Sequence, residues 1–151
     1  MTQIPSSFPR DANGVPIWTE GIIASKAITY VAGTTGATGA KTLFTVTGCV
    51  AVRVFGVCGL TLVGAATLEV GISGATAVVL AQIADATDLA TDEIYVDATP
   101  TTKVEALPSK LIIGNGQDII QTIGSTALTA GILTYYCIGA PISVDGNIVA
   151  T

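Results

Sequence analysis

The residues closest to chemical machinery are a glycine-rich stretch, a run of acids and three cysteines. Gly33-Thr34-Thr35-Gly36-Ala37-Thr38-Gly39-Ala40-Lys41-Thr42 has the glycine spacing of a phosphate-binding loop. Such a loop needs Gly-Lys-Ser/Thr, so that backbone N–H groups and the ammonium converge on one phosphate, and it must open a helix. Here Ala40 separates Gly39 from Lys41 and a strand pattern follows, so the stretch reads as a strand connection. Asp85, Asp88, Asp92, Glu93 and Asp97 are the densest acids. Calcium needs several oxygens converging from a tight loop. This spacing fits no such loop, and a solvated loop with no metal is expected. Cys49, Cys58 and Cys137 are odd in number and far apart, which gives neither a disulfide framework nor a metal knuckle. Buried thiols are expected, with a Cys49–Cys137 cross-strand bridge as the alternative. The chain has no histidine. That removes the usual general base at neutral pH, and with it the Ser-His-Asp and Cys-His arrangements. The expectation is a protein that is not an enzyme and takes no cofactor. Arg53 and Glu69, lone charges inside apolar strands, pair across strands or mark solvent-facing positions.

Composition narrows the class of partner. Half of the 151 residues are hydrophobic and 11% are charged, against roughly 25% charged in an ordinary soluble domain. Such a chain either enters a membrane or hides much of its outside against other chains. Residues 119–144 carry no charge, but threonines, serines, Gly124, Gly131, Gly139 and Pro141 break them into short β-branched runs. No basic cluster flanks them, so a spanning helix is not expected. The first 18 residues lack the basic start and apolar run of a signal peptide, which points to synthesis and assembly in the cytoplasm. A net charge of −5 and six dispersed basic residues argue against nucleic acid. What remains is a homo-oligomer, a dimer or a trimer, that buries its apolar surface.

The elements follow from periodicity. Residues 1–24 read as an extended arm: Pro5, Pro9 and Pro16 exclude helix and central strand, and Phe8, Ile17 and Trp18 are large apolar anchors. Residues 25–151 read as β. Strands are expected at 27–31, 42–47, 50–58, 67–72, 77–80, 93–97, 110–113, 118–123 and 132–138, and a last pair at 142–149 around Asp145-Gly146. The 50–58 run is apolar on both faces and so belongs at a sheet centre. Ser73-Gly74-Ala75 suits a tight turn, residues 81–93 a short helix, and Asn115-Gly116 a hairpin. Short strands between Gly-rich turns make the fold class all-β, a jelly-roll-like β-sandwich with an extended N-terminal arm.

Three segments carry a family resemblance. Phe8-Pro9-Arg10-Asp11-Ala12-Asn13-Gly14-Val15-Pro16-Ile17 resembles the N-terminus of small virion proteins of tailed bacteriophages. Asp85-Ala86-Thr87-Asp88 with Glu93-Ile94-Tyr95-Val96-Asp97-Ala98-Thr99-Pro100 is similar to a stretch of phage head accessory proteins, as is Ile142-Ser143-Val144-Asp145-Gly146-Asn147-Ile148-Val149. The resemblance implies a capsid decoration, or cement, protein on the outer surface of the virion. Such a protein bridges major capsid subunits against internal DNA pressure and has no active site. Phe8, Ile17 and Trp18 would then tether the arm to the major capsid protein, while Arg10 and Asp11 set its register. The alternatives are a tail or head–tail connector component, or a carbohydrate-binding jelly-roll module.

Overall fold

The computed structural model describes residues 22–114 and 116–151. They build two five-stranded antiparallel sheets packed face to face. In chain order the strands are β1 (Ile22–Thr29), β2 (Gly39–Thr47), β3 (Val50–Val63), β4 (Thr67–Ile72), β5 (Ala75–Ile83), β6 (Ile94–Tyr95), β7 (Leu111–Ile113), β8 (Ile119–Gly124), β9 (Ala130–Pro141) and β10 (Asn147–Ala150). The first sheet runs β1-β9-β3-β6, with β7 also on β3; the second runs β10-β2-β8-β4-β5. The pairs are nested: β1 with β9, β2 with β8, β3 with β6 and β7, β4 with β5. That is one long antiparallel hairpin rolled up on itself, a jelly roll. Its tip is Ser73-Gly74, where Gly74 takes the positive φ of a two-residue hairpin turn (84°). β10 lies beside β2 as an extra edge strand.

Period-two patterning makes the core. β3 buries Val52, Val54 and Cys58, β9 buries Leu133, Tyr135 and Cys137, and β8 buries Ile119, Gln121 and Ile123. β2 breaks the alternation by burying Leu43 and Phe44 together. A bulge between Thr42 and Phe44 explains this, because two residues of β2 then oppose one of β8. At one end the β1–β2 loop sits against the β8–β9 loop. Leu128 N donates to Gly36 O at 2.9 Å, and a Cβ on Gly36 would overlap the Leu128 carbonyl, so only glycine fits there.

Several sequence expectations need correction. Asn115-Gly116 does not make a hairpin: β7 belongs to the first sheet and β8 to the second, so the chain crosses the sandwich between them. The Asn-Gly signal reports a local turn and is blind to which sheet receives the next strand. Asn115 itself lies outside the described residues. Residues 142–149 are likewise no pair, since β9 continues to Pro141 and β10 joins the other sheet. Ile22–Ala24, assigned to the arm, are the start of β1, because Ile22 and Ala24 pack on the core. In place of a helix over 81–93, β5 extends to Ile83 and Ala86–Asp88 is a single 3-10 turn capped by Asp85. Arg53 and Glu69 sit in different sheets and are not cross-strand neighbours.

Two tyrosines fasten the sheets together. Tyr30, just past β1, donates from its hydroxyl to Gln121 Oε1 on β8 at 2.9 Å. The Tyr95 hydroxyl, from β6, lies 2.7 Å from Ala81 O and 3.1 Å from Leu68 O of the opposite sheet. Tyr135, whose hydroxyl lies beside that of Tyr30, completes a buried polar cluster in which Gln121 Nε2 meets no partner. Removing a buried donor strands its acceptor at a cost of about 1–3 kcal/mol. Tyr30→Phe should therefore lower unfolding free energy by about 1–3 kcal/mol in urea melts, and adding Gln121→Met should restore part of the loss. A double variant as unstable as the sum of the two singles would rule out the pairing.

Burial also pushes the Tyr30, Tyr95 and Tyr135 hydroxyls well above the usual tyrosine value of 10.0. The folded state thus holds these protons more tightly than the unfolded chain. Their contribution to stability is intact below pH ~10 and falls as pH rises beyond it, where the unfolded chain ionises first. An alkaline titration should show the tyrosinate absorbance of these three side chains rising only with loss of the β-sheet circular dichroism. Their ionisation while the sheets persist would contradict this.

Candidate functional site

The features that suggested chemistry are occupied with holding loops. Lys41 Nζ donates to Ala37 O at 2.6 Å, Gly36 N donates to Val31 O at 2.9 Å, and the stretch leads straight into β2. No helix follows to present a phosphate cradle. Among the acids, Asp85 accepts from Thr87 N (3.0 Å) and Thr87 Oγ1 (2.7 Å), and these bonds lower its pKa. Glu93 accepts from Ala90 N, Asp97 from Thr99 N, and Asp92 pairs with Lys103 at 3.2 Å. Among the described residues no three His, Cys, Asp or Glu side chains converge as a metal site would require. No helix of the described residues is long and apolar enough to cross a membrane.

Cys49, Cys58 and Cys137 are all thiols, so the Cys49–Cys137 bridge is not formed. Cys58 and Cys137 point into the core, and burial raises the Cys58 thiol. Cys49 is half-buried at a corner where its N–H donates to Ser143 Oγ at 2.7 Å, and Ser143 Oγ donates to Asp145 Oδ1 at 2.7 Å. This Ser–Asp pair closes the turn after β9.

The surface that stands out is the outer face of the first sheet. Between their core positions, β3 turns Arg53, Phe55 and Val57 outward, and β9 turns Thr134, Tyr136 and Ile138 outward. Register sets them in rows: Ile23–Ile138–Arg53, then Ser25–Tyr136–Phe55. The Phe55 and Tyr136 rings stack with centroids 5.3 Å apart. At the end where β1 begins and β9 finishes, Ile23 is 70% exposed and Ile112 71%, and Ile142 and Val144 of the following turn are exposed too. Beyond β6 a long exposed loop, residues 96–110, folds back beside the sheet. With Phe55, Ile94 and Val96 it encloses an apolar cavity of ≈ 210 Å³, walled by Glu105, Ala106, Leu107 and Pro108. The second sheet differs: its outer face carries Thr45, Thr67, Thr122 and Glu69 around Ile120, and Gln82 Nε2 donates to Glu69 at 2.8 Å.

Phe8, Arg10, Asp11, Ile17 and Trp18 lie outside the described residues. Sequence reasoning passed over Ile23, Phe55, Tyr136 and Ile112. The available signal was that β3 and β9 are apolar at both alternations, which marks a central strand and, equally, a sheet with a second apolar face.

Thiol accessibility checks the packing. A thiol-reactive disulfide reagent should modify at most Cys49 rapidly in the native protein and all three cysteines in denaturant. Fast native modification of two or more would show the core to be open. Comparison with known protein families, curated proteins and solved structures finds no match to this chain.

Proposed function

We propose that this chain is a structural virion protein, a capsid decoration protein that bridges major capsid subunits on the outside of a phage head. The observation that carries the reading is the apolar outer face and end of the first sheet. A soluble domain that works alone does not benefit from Ile23, Ile112, Ile142 and Val144 exposed at one end; contiguous exposed apolar residues mark protein–protein contact. The missing histidines and the locally satisfied loops fit a protein that works by docking and not by catalysis. The three segments that resemble virion proteins supply the identity of the partner. In this reading the N-terminal segment adds Phe8, Ile17 and Trp18 as anchors and Arg10 and Asp11 as register-setting charges. The decoration unit is a homo-oligomer, a dimer or a trimer.

The test is cosedimentation with undecorated shells of the major capsid protein produced from the same genome. The full chain should bind saturably. The exposed-site variant Ile23→Asp with Ile112→Asp should stay folded by circular dichroism and bind at least tenfold more weakly, about 1.4 kcal/mol or more. Absence of saturable binding to such shells, or undiminished binding by the double variant, defeats the proposal.

A further inference from the structure

Among the described residues, β1 is the one long edge strand with an unbroken ladder. Its pairing with β9 runs from Ile22 opposite Gly139 to Thr29 opposite Ile132 without a bulge. The other edges are poorer templates. β6, β7 and β10 are two, three and four residues long. β5, at the far edge of the second sheet, is broken by two register shifts against β4. The β1 ladder continues to Tyr30, whose N–H donates to Gly131 O at 2.9 Å. That bond sets the alternation. Ile22, Ala24, Lys26 and Ile28 turn their backbone groups to β9, and Ile23, Ser25, Ala27 and Thr29 turn theirs to the open edge. Thr29 O accepts from Thr35 Oγ1 at 2.6 Å. The N–H and C=O groups of Ile23, Ser25 and Ala27 meet no partner among the described residues.

Sheet edges are commonly blunted by proline, a bulge or a charge on the open side. β1 has no proline and no bulge, and Ser25 and Ala27 are small and exposed. Its one charge, Lys26, points into the sandwich, where Nζ donates to Thr42 O at 3.0 Å and to Thr151 O. A second β1 running antiparallel offers the same three open residues about a two-fold axis, which makes the edge self-complementary. Directly opposed residues share a face of the sheet, so the axis must pass through a residue. Centred on Lys26, the pairing would set two ammonium groups opposite each other and call on Thr29 O, which is taken. Centred on Ser25, it matches Ser25 with Ser25, Ile23 with Ala27 and Ala27 with Ile23. Lys26 then lies opposite Ala24 of the second copy. No other register uses all three open residues of both chains.

We propose that two copies of this chain join edge to edge through β1, antiparallel about a two-fold axis at Ser25. The proposal rests on the homo-oligomer in the functional reading and names its interface, and it does not depend on the shell as partner. It makes the two first sheets continuous, so the apolar rows from Ile23 to Phe55 of both copies lie on one face. A contact this narrow belongs with the small interfaces below about 1,200 Å², which are weak and transient.

Sedimentation velocity of the full chain between about 1 and 500 µM should therefore show monomer passing to dimer, with a dissociation constant of about 10–100 µM. The Ser25 N–H is not used within the fold, so Ser25→Pro should keep the circular dichroism of the sandwich and weaken dimerisation at least tenfold. If that variant misfolds, Ser25→Lys sets like charges opposite each other from an exposed position and should do the same at low salt. Cross-linking reads the register. In a Cys49→Ser background, Ser25→Cys brings the two Cα atoms to about 5.5 Å, within disulfide range, whereas Ala27→Cys leaves them about 13 Å apart. Mild oxidation should link the first pair and not the second. A monomer throughout the concentration range overturns the proposal, as does a trimer, a dimer undiminished by a folded Ser25 variant, or equal linking at both positions. Shells bound by a chain that stays monomeric would overturn this pairing and leave the capsid reading standing. A dimer through β1 that ignores the shells would do the reverse.

Discussion

The pairing of β3 with β9 is the constraint on which the rest of the sandwich hangs. The ladder runs from Val50 opposite Pro141 to Val63 opposite Ala130, and β1 takes its register from β9 while β6 and β7 take theirs from β3. A slip of β3 by one residue against β9 would turn Val52, Val54 and Cys58 to the outside and bring Arg53, Phe55 and Val57 into the core. Each large side chain so exposed forfeits about 1.5–3 kcal/mol, which is already a large part of the net stability of an ordinary domain. The register shifts near Leu60, where Gly131 takes a φ of 115° against Leu62, relieve the ladder only at its far end. The same register that fills the core therefore also builds the outer face, row by row.

The second sheet is tied to this ladder by more than apolar contact. A jelly roll crosses between its layers at nearly every connection, so its loops tie the two sheets at their ends and the interior needs ties of its own. Tyr30 and Tyr95 provide that alignment by reaching from the first sheet to Gln121, Ala81 and Leu68 of the second. A hydrogen bond inside the core is directional where van der Waals contact is not, so these two phenols fix how one sheet lies over the other.

The strands were legible because their residues carry the signal: Thr42–Thr47, Val50–Cys58, Thr67–Ile72 and Ile132–Ile138 all alternate or run β-branched, and all are strands. The Ser73-Gly74 turn was legible for the same local reason. Pairing was not. Leu111–Ile113 and Ile119–Gly124 flank an Asn-Gly, yet which sheet each joins is decided by partners about 50 residues or more away, Val50–Val52 for one and β2 and β4 for the other. The bulge that buries Leu43 beside Phe44 was hidden as well, since it depends on the register against β8. The candidate surface was only half visible. Apolar residues at both alternations of β3 and β9 were on the page, but that Phe55 meets Tyr136 and that residues 105–108 wall a cavity follow from tertiary placement.

Low charge by itself does not mark a surface for burial, and the two outer faces show why. The second sheet stays compatible with water using Thr45, Thr67 and Thr122, whose hydroxyls donate and accept while their β-branched carbons suit a strand. A face of this kind needs few charges. The first sheet is unlike this at one end: across its two rows from Ile23 to Phe55 the polar groups are Ser25, Arg53 and the Tyr136 hydroxyl, and the threonines of the face, Thr29 and Thr134, lie towards its other end. The scarcity of charge in the composition is thus two separate things, a threonine-clad face that tolerates solvent and an apolar face that is better off covered. Of the two, the second is the kind of face that proteins cover by contact with another surface.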